Sequence, residues 1–164
     1  MIDPKTKLTP HFTLGEMVRS KSHPEVYNVP PIEYIDHLVN LCQWLEVLRK
    51  EYIDRYNGGR DCPVVINSGY RSPMLNRAVG GSKDSNHLKG YAADIRCEDG
   101  VQAIRYACLL IEMFRKADKL WDEIIIEKKG LRFWLHFAVR PEKGKDKNRG
   151  RISVMYRPSP SPPL

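Results

Sequence analysis

A long helical repeat between two pairs of helix breakers constrains the fold more than any other feature of this sequence. Apolar residues recur at helical spacing from Ile35 to about Tyr56, after Pro30-Pro31 and before Gly58-Gly59. A stripe of this length must be covered by a second layer of structure. The segment is therefore predicted to be the main core helix. Its apolar positions are Ile35, Leu38, Leu41, Cys42, Leu45, Leu48 and Tyr52.

Two shorter helices are indicated by their capping residues. The run Thr13-Leu14-Gly15-Glu16 has the spacing of a capping box, in which a hydroxyl and a carboxylate each satisfy a free backbone donor. Ser72 caps a second short helix, Pro73 opens it, and Gly80-Gly81 ends it. Both are expected to be brief.

A further amphipathic helix of about four turns is predicted after Gly100, to pack beside the long one. Its apolar stripe is read as Val101, Ile104, Cys108 and Ile111. The four cysteines form no Cys-x-x-Cys pair, and two of them fall on helical stripes. We interpret the cysteines as reduced core residues, with a disulfide or a cysteine-bound metal as the alternative.

Short β-rich runs separate these helices and dominate the last third of the chain. Two of them, joined by Lys129-Gly130, have the pattern of a hairpin. The runs are 63–67, 91–97, 123–128, 132–139 and 152–156. A chain of 164 residues buries one ordinary core, so a single domain is expected over 1–157. Its fold class is α+β: a small, mainly antiparallel sheet with helices packed on one face. The proline-rich stretch 158–164 is predicted to be a disordered tail, or alternatively a docking peptide.

Three residues suggest chemistry on the other face of the sheet. His87 lies in a loop, Asp94 follows in a strand with small Ala92 on the same face, and His136 lies in a later strand. Each alone is better explained as an ordinary polar residue. Together they form a mixed nitrogen and oxygen set that suits zinc and leaves a fourth tetrahedral position open. An open zinc suggests hydrolysis.

These segments resemble the zinc D-Ala-D-Ala carboxypeptidase family, which includes phage endolysins and has the hedgehog signalling domain as a structural cousin. The most specific signal is Ser-x-His, six residues and Asp-Ile at 85–95, followed downstream by an aromatic-x-His. The other matching stretches are 11–14, 66–73 and 79–82. The resemblance implies a zinc ion held by His87, Asp94 and His136.

The resemblance also implies a carboxylate that acts as general base. Many relatives place a glutamate three residues before the last histidine, where this chain has Phe133. Glu127 is the best substitute, because it ends the preceding strand and is expected to lie across from His136. Asp122 and Glu123 are less favoured, and a solvated Glu127 is the alternative.

An arginine is implied to anchor the substrate. Arg71 matches the family arginine near the cleft, and its planar fork suits a peptide carboxylate. Pairing with a nearby acid is the alternative.

The formal charge of +7 and a pI of about 9.3 indicate attraction to polyanions, such as nucleic acid or the acidic polymers of a bacterial wall. Much of the excess lies in the run 140–151, most simply a solvated loop. No helix-turn-helix, zinc finger or interleaved aromatic and basic pattern supports specific nucleic-acid binding. The expected partner is a peptidoglycan peptide, and the chain is expected to be a monomer.

The function expected from the sequence is a zinc-dependent peptidoglycan peptidase, either an endolysin-like endopeptidase or a D-Ala-D-Ala carboxypeptidase. The alternatives are an inactive zinc-bearing module of the hedgehog kind and a nucleic-acid-binding protein. No apolar leader follows the first residues, and no stretch is long enough to span a bilayer. The protein is expected to be made in the cytoplasm without a signal peptide and to act at the bacterial cell wall after release or export.

Overall fold

The computed structural model describes residues 3–141 and 147–157, so the tail 158–164 and the middle of the basic run lie outside the described residues. The helices are α1 (Leu14–Val18), α2 (Ile35–Tyr56), α3 (Pro73–Ala78) and α4 (Gly100–Lys116), with short 3₁₀ helices at Ile32–Tyr34 and Asn86–Lys89. The strands are β1 (Ile66–Ser68), β2 (Ala92–Cys97), β3 (Glu123–Lys129), β4 (Arg132–Ala138) and β5 (Arg151–Tyr156).

The described strands form one sheet in the order β1-β2-β4-β3-β5. All neighbours are antiparallel except β3 and β5, which run parallel. The α+β class with a mainly antiparallel sheet is confirmed. The predicted hairpin is the β3–β4 pair, which closes at Lys129 opposite Arg132.

Helices α2 and α4 cover one face of the sheet. Trp44 of α2 stacks on Phe114 of α4 with ring centroids 3.8 Å apart, and Phe114 meets Phe137 of β4 edge-on at 5.9 Å. Leu135 and Phe137 are fully buried on this side, each worth about 1.5–3 kcal/mol of hydrophobic stabilisation. Because side chains alternate along a strand, His136 lies on the opposite face, which these helices leave open.

The predicted apolar stripe of α4 is wrong in phase. Val101 and Ile104 are each 54% exposed, and Cys108 is exposed as well, so the expectation that it lies in the core is also wrong. The helix carries apolar residues on more than one side, and small alanines let the other side approach the sheet closely. The buried side consists of Gln102, Ala103, Tyr106, Ala107, Leu109, Leu110, Met113 and Phe114.

The predicted caps are present. Thr13 and Glu16 form the capping box that starts α1, and the Ser72 hydroxyl accepts from the Leu75 amide at the start of α3.

Strand β1 is shorter and later than the predicted run 63–67. Its pairing with β2 begins only at Ile66.

Strand β5 forms one edge of the sheet. The Arg151 and Arg157 amides donate to carbonyls in and next to β3, which directs the alternate backbone groups of β5 away from the sheet. The side chains of Ile152, Val154 and Tyr156 are 54%, 78% and 64% exposed, because the helix layer does not extend over this strand.

Among the described residues, none of the helices combines the length and apolar character needed to cross a bilayer.

Candidate metal centre

The strand register brings two of the three predicted ligands into direct opposition. Asp94 of β2 faces His136 of β4, and His136 faces Ile125 of β3. His87 lies on the 3₁₀ helix that precedes β2. One candidate ligand atom from each of His87, Asp94 and His136 lies within 4.8 Å of the others, and all three residues are almost fully buried.

The hydrogen bonds of His87 identify the nitrogen that faces the centre. Its Nδ1 lies 2.6 Å from the Gly69 carbonyl oxygen, which can only accept, so Nδ1 carries the proton. Burial lowers the pKa of His87, which favours the neutral ring. The Nε2 lone pair then lies 3.3 Å from Asp94 Oδ1, another acceptor. The His87 nitrogen and the Asp94 oxygen are both electron-pair donors, and two such atoms lie this close most favourably when a cation binds to both. These nitrogen and oxygen ligands suit zinc.

His136 approaches the same carboxylate oxygen through its other nitrogen. Nδ1 is 2.9 Å from Asp94 Oδ1, and Nε2 is 3.2 Å from Glu123 Oε2. Burial opposes the charged ring, but the bonds to both carboxylates outweigh it and raise the pKa of His136 to about 9. A metal would take the place of the Nδ1 proton, and Glu123 would still fix the ring through Nε2.

The second oxygen of Asp94 is held by Arg71. Arg71 Nη2 donates to Asp94 Oδ2 at 2.5 Å, and Arg71 Nε donates to Ser68 Oγ at 2.8 Å. Burial would raise the pKa of Asp94, but His87 and His136 keep it well below its usual range. The pairing of Arg71 with a nearby acid, one of the two sequence alternatives, is therefore present. Substrate anchoring by Arg71 stays a prediction.

The loop behind His87 is fixed by a close backbone approach. A Cβ at Gly69 would lie 2.4 Å from the Met17 carbonyl oxygen, so only glycine fits there. That oxygen also accepts from the Tyr70 amide at 2.7 Å. Asn28 bridges the Val18 and Tyr70 carbonyls and accepts from the Ser72 amide. The C-terminal end of α1 thus holds in place the Gly69 carbonyl, which orients the His87 imidazole.

Two carboxylates of β3 share the metal-centre face and flank Ile125. Glu127 lies opposite Trp134, so the expectation that it lies across from His136 is wrong by two residues, an offset that keeps it on the same face of the sheet. The less favoured Glu123 contacts His136 instead. The hydrogen bond from His136, with help from arginine and amide neighbours, lowers the pKa of Glu123 to about 2. Glu127 is 4% exposed and pairs with Arg157.

A cleft of about 730 Å³ opens over these residues. The loop 80–82 forms one side, and arginines of the segment 149–157 form the other. At its base, Asn86 Nδ2 donates to the fully buried Asp122 at 2.7 Å and to Glu123 at 2.9 Å. Sequence reasoning missed Asn86 and these arginines. The signal for the arginines was the two-residue spacing of Arg149 and Arg151.

The remaining histidines lie away from the centre, as predicted. His11 pairs with Glu46 at 2.7 Å, and His23 pairs with Glu25 at 3.3 Å. His37 bonds to the Lys89 carbonyl.

Comparison with known proteins identifies a family for most of the chain. A family model described as Peptidase M15 matches residues 10–118, about two thirds of the chain. The matched range contains Arg71, His87 and Asp94 and ends before His136. A search of the curated proteins found no match.

Proposed function

The chain belongs to the peptidase M15 family, which is a family of metallopeptidases, and we propose that it is a zinc peptidase that hydrolyses peptide bonds of bacterial peptidoglycan. One observation carries the proposal. The His87 Nε2 lone pair and His136 Nδ1 converge on one oxygen of Asp94 in an open cleft. The basic surface favours adsorption to the anionic wall where the enzyme would act.

The chain supplies the ligands and holds them in place. His87, Asp94 and His136 would bind the ion, while the Gly69 carbonyl and Arg71 keep the first two ligands in orientation. Zinc, when bound, would supply a Lewis acid that makes water acidic near neutral pH and polarises the scissile carbonyl.

Glu127 is the proposed general base. It accepts a proton from the attacking water as the new C–O bond forms, and it returns that proton to the leaving amine as the C–N bond then breaks. Glu123 is poorly suited to this task. Its Oε2 already binds Asn86 and His136, and its Oε1 is paired with Arg149 and Arg151.

Digestion of purified peptidoglycan, followed by mass analysis of the released muropeptides, tests the proposal. We expect cleavage by zinc-loaded protein and none by the chelated protein or by His136→Ala. The product masses distinguish the removal of a terminal D-Ala from an endolysin-like cut inside a cross-link.

Two outcomes would contradict the proposal. Intact muropeptides with zinc-loaded protein bound to the wall would indicate the inactive binding module. Salt-sensitive DNA binding without any wall cleavage would indicate the nucleic-acid alternative.

A further inference from the structure

The segment that enters β5 places two arginines on the wall of the cleft. Arg149 and Arg151 are two residues apart, and both line the cleft. Their side chains are 48% and 50% exposed, in contrast to the 15% of Arg71. These two guanidinium groups therefore reach both the protein and the space that a substrate would fill.

The two arginines retain hydrogen-bonding capacity toward the cleft. A guanidinium group has five N–H donors. Within residues 3–141 and 147–157, the Arg151 side chain donates only through Nη1, to Glu123 at 3.2 Å. Arg149 uses Nε and Nη2 on Asp122, at 3.0 and 2.8 Å.

Among the described residues, these arginines and their neighbours carry more positive charge than the carboxylates they contact. Asp122 is paired with Arg140 at 3.1 Å and with Arg149 at 2.8 Å. Glu123 is paired with Arg149 at 2.9 Å and with Arg151 at 3.2 Å. Leaving the metal centre aside, three guanidinium groups share two carboxylates in this part of the structure. One further carboxylate would make the number of carboxylates equal to the number of guanidinium groups.

The position of Arg151 relates this excess charge to the reaction centre. Glu123 accepts from Arg151 through Oε1 and contacts His136 Nε2 through Oε2. The Glu123 carboxylate thus connects the Arg151 guanidinium group to His136, a predicted zinc ligand. An extended peptide advances about 3.3–3.6 Å per residue, so a group bound here belongs to a residue close to the scissile bond.

We propose that Arg149 and Arg151 form a subsite for a substrate carboxylate, so that the enzyme selects peptides with an acidic group next to the bond it cleaves. This inference rests on the proposed peptidase function and specifies its substrate class. The carboxylate belongs either to a side chain of the peptide or to its free terminus. Arg71 is less suited to this role, since its side chain is only 15% exposed, against 48% for Arg149 and 50% for Arg151.

Three versions of one peptidoglycan stem peptide test the subsite. The first carries both carboxylates, the second has the internal D-glutamate carboxylate amidated, and the third has an amidated terminus. For wild type, we expect one amidation to lower kcat/KM about ten- to hundredfold, the usual effect of a charge-assisted hydrogen bond. The sensitive position identifies the source of the carboxylate.

Arg151→Gln is the informative variant, because replacing Arg149 would uncover the buried Asp122. In Arg151→Gln, we expect the acid and amide peptides to be cleaved within about threefold of each other. Arg151→Lys should restore part of the preference, because it keeps the charge without the planar fork. Arg115→Gln on α4 is the matched control, with the same loss of charge outside the cleft.

Calorimetric binding of the acid and amide peptides separates this proposal from the peptidase proposal. Preferential binding of the acid by wild type and not by Arg151→Gln supports the subsite even if nothing is cleaved. Equal cleavage of all three peptides by wild type overturns the subsite while leaving the peptidase in place. An equal loss of rate on every peptide in Arg151→Gln also overturns it, since that pattern indicates support of Glu123 alone.

Discussion

His87 and His136 present different ring nitrogens to Asp94, and the partner of the remaining nitrogen decides which one. The Gly69 carbonyl binds His87 at Nδ1, which leaves Nε2 for the centre. Glu123 binds His136 at Nε2, which leaves Nδ1. Such partners fix the tautomer and the ring orientation of a histidine that binds a metal.

The two glutamates of β3 should respond differently to the same substitution. Glu127→Gln should keep zinc affinity but lower kcat by about 10²–10⁴, because the proton acceptor is lost. Glu123→Gln should instead weaken zinc binding about 10–100-fold, because the His136 ring loses its carboxylate partner. Competition titration with a chromophoric chelator and steady-state kinetics measure both quantities. Near-normal turnover by Glu127→Gln would exclude it as the base.

Gly69→Ala should weaken the metal centre from a distance. The new methyl group would overlap the Met17 carbonyl, so the loop must shift and carry the Gly69 carbonyl away from His87. We expect zinc affinity to fall and the free energy of unfolding to drop by about 1–3 kcal/mol, as in other overpacked sites.

Gly59→Ala is the control for that substitution. Position 59 has φ +75° and open space around it, so alanine there strains only the backbone. Unchanged zinc affinity in Gly69→Ala, measured by the same titration, would show that the loop does not orient His87.

The predicted ligands were recognisable because each lies in a short sequence pattern and the patterns occur together. Ser-x-His with a following Asp, and the alternation of β4, place His87, Asp94 and His136 without knowledge of the packing. The role of Glu123 was not predictable in this way. It depends on which nitrogen of His136 faces β3, and that orientation is set by contacts between strands.

At the scale of elements, the pairing of β3 with β4 was easier to predict than the side of α4 that is buried. The turn residues predict the hairpin but not its register, since the loop is Gly130-Leu131 and Glu127 lies opposite Trp134 rather than His136. Helix α4 has apolar residues on opposing sides, so hydrophobic periodicity alone could not choose the buried one. The side that the structure buries includes Ala103 and Ala107, which are 0% and 6% exposed.

Paired substitutions in α4 test which side is buried. Leu110→Ala should lower the free energy of unfolding by about 2–5 kcal/mol, because the residue is 0% exposed and its loss leaves a cavity. Ile104→Ala should change it by no more than about 0.5 kcal/mol, as expected for a surface site. Urea unfolding measures both. The reverse order would support the stripe expected from sequence.

At the scale of the whole molecule, zinc would join elements that are distant along the chain. His87 precedes β2 and His136 lies in β4, so the assembled site requires the native pairing of these strands. A ligand that binds only the folded state stabilises it by mass action.

Removal of zinc should therefore lower the melting temperature. At 100 times Kd the bound ion contributes about 2.7 kcal/mol, which corresponds to roughly 5–10 °C for a chain of this size. Thermal scans with and without chelator measure the shift. His136→Ala should show none, whereas His11→Ala should respond as wild type does. A full response in His136→Ala would remove that residue from the ligand set.

The open edge at β5 has a consequence for colloidal behaviour. Outward backbone groups beside exposed Ile152, Val154 and Tyr156 form a template for strand addition by another molecule. The net charge of +7 opposes such contacts at long range. The Debye length shrinks from about 30 Å at 0.01 M salt to about 3 Å at 1 M. Light scattering should therefore report growing self-association as salt is added, and Val154→Lys should suppress it.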